Sequence, residues 1–423
     1  TTYNVKRGLR NADGTGVLVG LTEIGDVHGY IIDENEKVPA HGRLSYRGID
    51  VDTIVKGFQK EKRFGFEEIC YLLLFGELPS KEELGQFQDL LDENRKLPEG
   101  FTENMILKAP SSDVMNKLAR SVLVSYSYDK NPDDISIVNV LRQSIELIAR
   151  FPTMTAYGYQ AKVHYYDGKS LFLHNPVKGL GTAQNLLHMI RPDSKYSQLE
   201  AEILDLALVL HAEHGGGNNS SFTTHVVTSS DTDTYSAIAA SIGSLKGPKH
   251  GGANIRVIKM IEDIKTNVKK WDNESEVAGY LTKIVNKQAY DKTGLIYGMG
   301  HAVYTMSDPR AVILKTKAAE LAKEKNRLEE YNLFTTIEKL APGIFNEIKK
   351  SNKVISANVD FYSGFVYSML DIPTDLYTPI FAISRISGWC AHRIEELISG
   401  GRIIRPAYKS VVKKREYIAL DKR

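Results

Sequence analysis

Apolar residues recur at three- and four-residue spacing through segment after segment of this 423-residue chain, while sustained apolar/polar alternation of the strand type is scarce. A chain patterned in this way folds as a mainly α protein. Val114, Leu118 and Val122 define one buried stripe, and Val138, Leu141, Ile145 and Ile148 a second. A third, Leu199, Ile203, Leu206 and Leu210, runs out at Gly215-Gly216-Gly217, a run that no helix interior favours. Ser80 and Glu83 form a capping-box pattern ahead of Leu84, Phe87 and Leu91. The first forty or so residues are richer in glycine and polar residues, so short strands are expected there, around Val17 to Leu21, peripheral to any chemistry. The stretch from Tyr165 to Pro176 reads as a loop between helices.

A chain of this length exceeds the usual size of a single hydrophobic core, which predicts two lobes or a large domain with an insertion. No linker marks a boundary, so a second lobe would be inserted between turns that act as hinges, with Gly251-Gly252 as one candidate. Hydrophobic residues make up 42% and charged residues 25% of the chain, and no stretch approaches membrane-spanning length. The formal net charge is only +2 with both signs dispersed, which argues against a nucleic-acid partner. Cys70 and Cys390 stand in apolar helical contexts, so a reducing, cytoplasmic compartment is expected rather than a disulfide framework. Thr1-Thr2-Tyr3-Asn4 shows no secretory pattern.

Three turns in the second half each place a proton-handling group at a helix boundary: Gly247-Pro248-Lys249-His250-Gly251-Gly252, Gly298-Met299-Gly300-His301 and Asn358-Val359-Asp360. A general base, a neutral hydrogen-bond donor and a polarising acid on three separate segments are what carbon–carbon bond formation beside a carbonyl requires. Taken singly, each has a plainer reading. His250 in a Gly/Pro turn is compatible with a surface residue, although a neutral imidazole near the start of the next helix suits donation to a forming enolate. Asp360 taken alone is more readily a helix N-cap than a base. Gly298-Met299-Gly300 is too short for a dinucleotide fingerprint.

His211 and His214 lie three apart, at the last turn of a helix, where they either reach into one pocket or meet the helix's free carbonyls. His-Ala-Glu-His lacks the four-residue spacing of the zinc helix motif. Asp308-Pro309-Arg310 reads as N-cap and first two helical residues, which puts the Arg310 cation where the helix dipole disfavours it and a carboxylate ligand would offset the cost. The alternative is an arginine that snorkels to solvent. Arg385 interrupts an apolar helix between Phe381 and Trp389 and therefore needs an anionic partner. Arg405 is either a surface residue or a further carboxylate clamp.

In order, His211-Ala212-Glu213-His214, the turn from Gly247 to Asn254, Gly298-Met299-Gly300-His301-Ala302-Val303-Tyr304, Asp308-Pro309-Arg310 and Asn358-Val359-Asp360-Phe361-Tyr362-Ser363-Gly364 resemble the citrate synthase family. The likeness runs from Leu44-Ser45-Tyr46-Arg47-Gly48 to Arg405-Pro406. It implies a two-lobed, almost all-helical fold: residues 1–252 and 365–423 form the large domain, and 253–364 a small domain that closes over the cleft. It also implies a cytoplasmic homodimer, with a hexamer as a further possibility, and an acyltransferase of the tricarboxylic acid cycle that condenses acetyl-CoA with oxaloacetate and hydrolyses citryl-CoA. Asp360 would then remove the methyl proton, His250 would donate to the thioester oxygen, and His301 would polarise the ketone. His214, Arg310, Arg385 and Arg405 would hold substrate carboxylates, Arg405 from the partner subunit. Leu295, Ile296, Tyr297, Gly298, Met299 and Gly300 would bind the adenine of CoA, and Lys353 a phosphate. No metal and no cofactor beyond the acetyl-CoA co-substrate is implied.

Three local departures accompany the likeness: the spacing around Lys353, Ala407 where many bacterial members carry an arginine, and Gly215 where an acidic residue often follows the histidine. Three other readings remain. A 2-methylcitrate synthase would use propionyl-CoA, one methylene larger, a difference worth only about 1–3 kcal/mol in a pocket. A non-catalytic sensor of CoA esters or citrate would be expected to lack one of the proton-transfer residues, all three of which are present. A metal-dependent hydrolase built on the eleven histidines is the remaining class.

Overall fold

The computed structural model describes residues 5–11, 15–33, 36–301 and 303–423; Thr1 to Asn4 and the motif residue Ala302 lie outside the described residues. The fold is mainly α, as the periodicity predicts. Strands β1 (Gly25–Asp33), β2 (Glu36–Tyr46) and the short β3 (Ile49–Asp50) form an antiparallel sheet in sequence order. Helices follow as α1 (Val51–Lys60), α2 (Phe66–Phe75), α3 (Lys81–Asn94), α4 (Val114–Ser125) and the long α5 (Ile137–Asp167). Next come α6 (Thr182–Ile190), α7 (Gln198–His211), α8 (Asn219–Thr228) and α9 (Thr234–Lys246). The second half contains α10 (Ala253–Asn267), α11 (Glu274–Val285), α12 (Pro309–Glu324), α13 (Leu328–Lys349), α14 (Val359–Met369) and α15 (Tyr377–Ser399).

Most local expectations hold. Ser80 Oγ accepts from Glu83 N while Glu83 returns a bond to Ser80 N, completing the capping box of α3. Val114, Leu118 and Val122 are buried on α4, and Ile203, Leu206 and Leu210 on α7. Val138 is the exception in its stripe. It sits in the first turn of α5 at 82% exposure, while Ile145 and Ile148 are buried two and three turns on. Tyr165, Tyr166 and Asp167 belong to the last turn of α5, which stops at Gly168 in the left-handed region, so the loop begins there.

The strands also lie elsewhere than expected. Val17 to Leu21 is irregular, and the sheet starts at Gly25. Nor is the sheet peripheral. A Cβ at Gly29 would stand 2.3 Å from Val303 O, and one at Gly42 would stand 2.2 Å from Ser307 O. The two glycines let the segment after His301 lie directly on the hairpin, where Thr305 Oγ1 donates to Gly29 O and Gly42 N to Ser307 O.

Two groups of helices build the core. α15 is buried along most of its length and packs on α5, α8, α2, α9 and α7. Helices α10 to α14 pack chiefly on each other, α11 on α13, and α12 and α10 on α14, and reach the first group through α7. No described helix is long and apolar enough to cross a membrane. Beyond Ser399 the chain has no regular element until a short turn at Leu420–Lys422, and Tyr408, Val411, Val412 and Tyr417 are exposed.

Candidate active site

The segments that bear the candidate residues meet where the end of α7, the starts of α12 and α14 and the middle of α15 converge. Asp308 organises this junction. Its Oδ1 accepts from the backbone N and the Nε of Arg310, both at 3.0 Å, and its Oδ2 accepts from Arg310 Nη2 at 2.8 Å and from Val359 N at 3.0 Å. One carboxylate therefore caps α12, holds Arg310 and anchors the first turn of α14, on which Asp360 sits. Arg310 is only 4% exposed, which rules out the snorkelling reading. The anion that offsets its position at the helix N-terminus is in the first place its own cap. Burial works against the Arg310 charge and Asp308 more than offsets it, so the net shift is upward.

Asn358 ties the same helix to the glycine turn. Its Oδ1 accepts from Asp360 N at 3.0 Å, and its Nδ2 donates to Gly300 O at 2.8 Å. Asn358 N donates to Gly298 O, Gly300 N donates to Ser356 O, and Met299 bridges to Ala357. The turn that presents His301 and the helix that presents Asp360 are thus zipped together. Gly298 and Gly300 both adopt positive φ, and a Cβ at Gly298 would meet Phe361 and Val257 at 2.8 Å.

His301 is held in one tautomer. Its Nδ1 accepts from Val303 N at 3.0 Å and Tyr304 N at 3.1 Å, which requires the neutral ring to carry its proton on Nε2. Burial first, then the Arg310 charge, pushes its pKa down to about 4. Tyr304 stacks on it with centroids 4.6 Å apart, and the Tyr304 hydroxyl lies 3.2 Å from His214 Nε2. Burial and Arg310 likewise hold His214 well below the usual imidazole range. Of the histidine pair, only His214 joins this group. The His211 ring packs edge-on against Phe381, and neither of its nitrogens has a partner among the described residues.

His250 stands in the turn between α9 and α10, with Nε2 3.0 Å from Ser220 Oγ, which also accepts from Trp389 Nε1. Its pKa falls to about 4, by burial and then by Arg385. Arg385 is wholly buried. Its Nε donates to His211 O at 2.7 Å and its guanidinium lies over Phe381, while both Nη groups lack a partner among the described residues. Burial lowers its pKa to about 10 despite the nearby Glu213 carboxylate. Asp360 is shifted the other way, up to about 6, because burial outweighs the pull of Arg310.

A cleft of about 540 Å³ opens beside this junction, lined by Leu295, Ile296, Met299 and Gly300 together with His301, Tyr304 and Lys353. Tyr297 and Gly298, of the same expected run, are not among the residues that line this cleft. Tyr297 donates its hydroxyl to Asp291 Oδ2, and Gly298 serves the turn. Arg405 is not brought to the junction. It lies exposed in the C-terminal segment after Ile404, whose N donates to Ser229 Oγ. Sequence reasoning named Asp308 only as a cap and missed Ser220, Tyr304 and Asn358 as partners of the site. Asn358-Val359-Asp360 did carry a signal for Asn358, since asparagine two residues before an acidic first turn is an N-cap pattern.

Residues 11–407 match the family model described as citrate synthase, C-terminal domain. The chain is 33% identical to the citrate synthase of Haloferax volcanii, over 95% of this chain and 94% of that protein. It is 32% identical to the 2-methylcitrate synthase of Shewanella oneidensis, over 86% and 87%. In structure it is similar to citrate synthase from Thermoplasma acidophilum, solved as a ternary complex with carboxymethyl coenzyme A and oxaloacetate, with a TM-score of 0.80, 25% identity and 99% of each chain covered. The helical fold and these likenesses along almost the whole chain place it in the citrate synthase family of acyltransferase enzymes.

Proposed function

We propose that this enzyme condenses acetyl-CoA with oxaloacetate and hydrolyses the resulting citryl-CoA to citrate and CoA. The observation that carries the reading is the opposed poise of the acid and base groups. A carboxyl raised to about 6 is a stronger base than an ordinary aspartate yet is ionised at neutral pH, and two imidazoles lowered to about 4 are neutral donors there. Asp360 removes the methyl proton while His250 donates to the thioester oxygen as it gains charge. His301, with its proton on Nε2, polarises the ketone of oxaloacetate and protonates it as the new bond forms.

Arg310, Arg385 and His214 hold the carboxylates of oxaloacetate, and the two free Nη groups of Arg385 make the fork that fits one of them. Arg405 is assigned to the same task in the partner subunit of a homodimer, a role supported by the exposed apolar residues of its segment. Acetyl-CoA takes the 540 Å³ cleft, with its adenine against Leu295, Ile296, Met299 and Gly300 and a phosphate near Lys353. Residues 253–364 act as the small lobe, and oxaloacetate binds first. No step is assigned to a metal.

A second reading is a 2-methylcitrate synthase, favoured by the relative of that name at 32% identity. Thiol release from acetyl-CoA and from propionyl-CoA, each with and without oxaloacetate and in the presence of a chelator, separates the two. Oxaloacetate-dependent release favouring acetyl-CoA is expected; preference for propionyl-CoA selects the second reading, and no release with either overturns both. Asp360→Ala should keep oxaloacetate binding and lose turnover by ~10²–10⁴, the usual contribution of a general base.

A further inference from the structure

Behind Glu213, on the face of α15 that meets α8, two histidines and three carboxylates share one cluster that the proposed chemistry does not use. His225 of α8 directs Nε2 toward Nδ1 of His392 on α15, 3.1 Å away. Each ring turns its other nitrogen to a carboxylate: His225 Nδ1 lies 2.7 Å from Glu396 Oε2, and His392 Nε2 lies 3.0 Å from Glu213 Oε1. Glu395 directs Oε2 to the same point, 3.6 Å from His392 Nδ1, and that oxygen is buried with no hydrogen-bond partner among the described residues. The other Glu395 oxygen accepts from Glu23 N at 2.7 Å, which fixes the carboxylate.

We propose that His225, His392 and Glu395 are the three protein ligands of a divalent transition-metal site, with zinc the best match. The three ligand atoms lie within 4.8 Å of one another. Neighbouring ligands on a tetrahedral zinc with bonds of ~2.0–2.1 Å stand roughly 3.3 Å apart, close to the separation of the two nitrogens. Two imidazoles and one carboxylate suit zinc, copper, nickel or cobalt rather than magnesium or calcium.

The surroundings supply what a bare cluster lacks. Both histidines hand their distal nitrogen to a carboxylate, which fixes the ring and makes the ligating nitrogen more basic. Space for a fourth ligand is kept by Gly216, where a Cβ would stand 3.5 Å from His225 Nε2 and 3.8 Å from His392 Nδ1. A pocket of about 210 Å³ lined by Gly216, Gly217, His225 and Glu396 leads to that position. In the metal-free protein one proton bridges the two facing nitrogens, and the metal takes its place. The bound ion joins α8, α15 and, through Glu23, the segment entering β1. None of the three ligands is a residue assigned to the condensation.

The test uses the full-length protein, stripped with a chelator and dialysed, then titrated with zinc by calorimetry. One zinc per chain with micromolar or tighter affinity is expected, with proton release visible as a dependence of the heat on buffer ionisation. His225→Ala and Glu395→Gln should each weaken binding by at least tenfold, matching the cost of losing one ligand. Cobalt in the wild-type protein should give the visible absorption of a four-coordinate N/O site, a readout that needs no variant. No stoichiometric binding to wild type overturns the proposal. So does binding that both variants leave unchanged, which would locate the ion elsewhere.

Discussion

Arg385 is where a functional charge should cost the free enzyme stability. Its guanidinium is fully buried, with one bond to His211 O and two Nη groups that no described residue satisfies. A buried donor left without a partner costs about 1–3 kcal/mol, so the two Nη groups together cost roughly 2–6 kcal/mol. Arg385→Met removes that cost and keeps much of the volume. It loses the bond to His211 O, about 1.5–3 kcal/mol for a charged donor, and exchanges the cation over Phe381 for a sulfur contact of similar size. With the middle of each range, roughly 4 against roughly 2, the balance favours the variant by about 2 kcal/mol, the direction found when buried ionic groups give way to apolar ones.

Urea unfolding at fixed protein concentration reads this directly, since a higher midpoint at unchanged slope is a pure stability gain. With oxaloacetate at about 100 times its wild-type dissociation constant the wild type should gain ~2.7 kcal/mol, and the variant, left with Arg310 and His214, clearly less, so the order of the two midpoints narrows or reverses. A variant less stable than wild type without ligand, or one that oxaloacetate stabilises as much as it does the wild type, would refute the reasoning.

The acid limb of kcat/KM should fall as pH drops through about 6, where Asp360 takes up a proton, with no second limb until the imidazoles ionise near 4. An acid limb at the ordinary aspartate value, read from a pH–rate profile between 4 and 8, would remove Asp360 from the base role. Asn358→Ala should cost ~1 kcal/mol of stability as a lost N-cap. It should also lower kcat more than it raises KM, because the variant removes the side-chain bond to Gly300 O and leaves the turn held to α14 by backbone bonds alone; steady-state kinetics showing the reverse split would make Asn358 a cap alone.

How far the sequence reveals this site depends on the range of the interaction. The capping box at Ser80, the stripe on α4 and the cap at Asp308 are short-range patterns, and each appears in the structure as expected. The burial of Arg385 follows from Phe381 and Trp389, about one turn away on either side. Contacts such as Ser220 to His250, Tyr304 to His214 and Glu213 to His392 join residues 30, 90 and 179 positions apart, and no local period encodes them. The hairpin was misplaced for a related reason. Gly29 and Gly42 let backbone approach from residues 303 and 307, a contact no local pattern announces. Val138 matches its stripe by spacing, yet it stands in the first turn of α5, where no neighbouring helix covers it.

On the proposed reading, the electrostatics also bear on the order of binding. Arg310 lies among the causes that hold His301 and His214 down, and Arg385 does the same for His250; both cations also restrain the rise of Asp360. A dicarboxylate seated on the two guanidinium groups adds negative charge to that already supplied by Asp308 beside Arg310 and Glu213 near Arg385. Every one of those shifts then moves upward: the imidazoles become easier to protonate and Asp360 becomes a stronger base. Asp360, which must take a proton, is therefore better fitted to its task after oxaloacetate is bound than before. An acyl-CoA arriving first would meet the weaker base, so the charges themselves favour the sequence in which the dicarboxylate comes first.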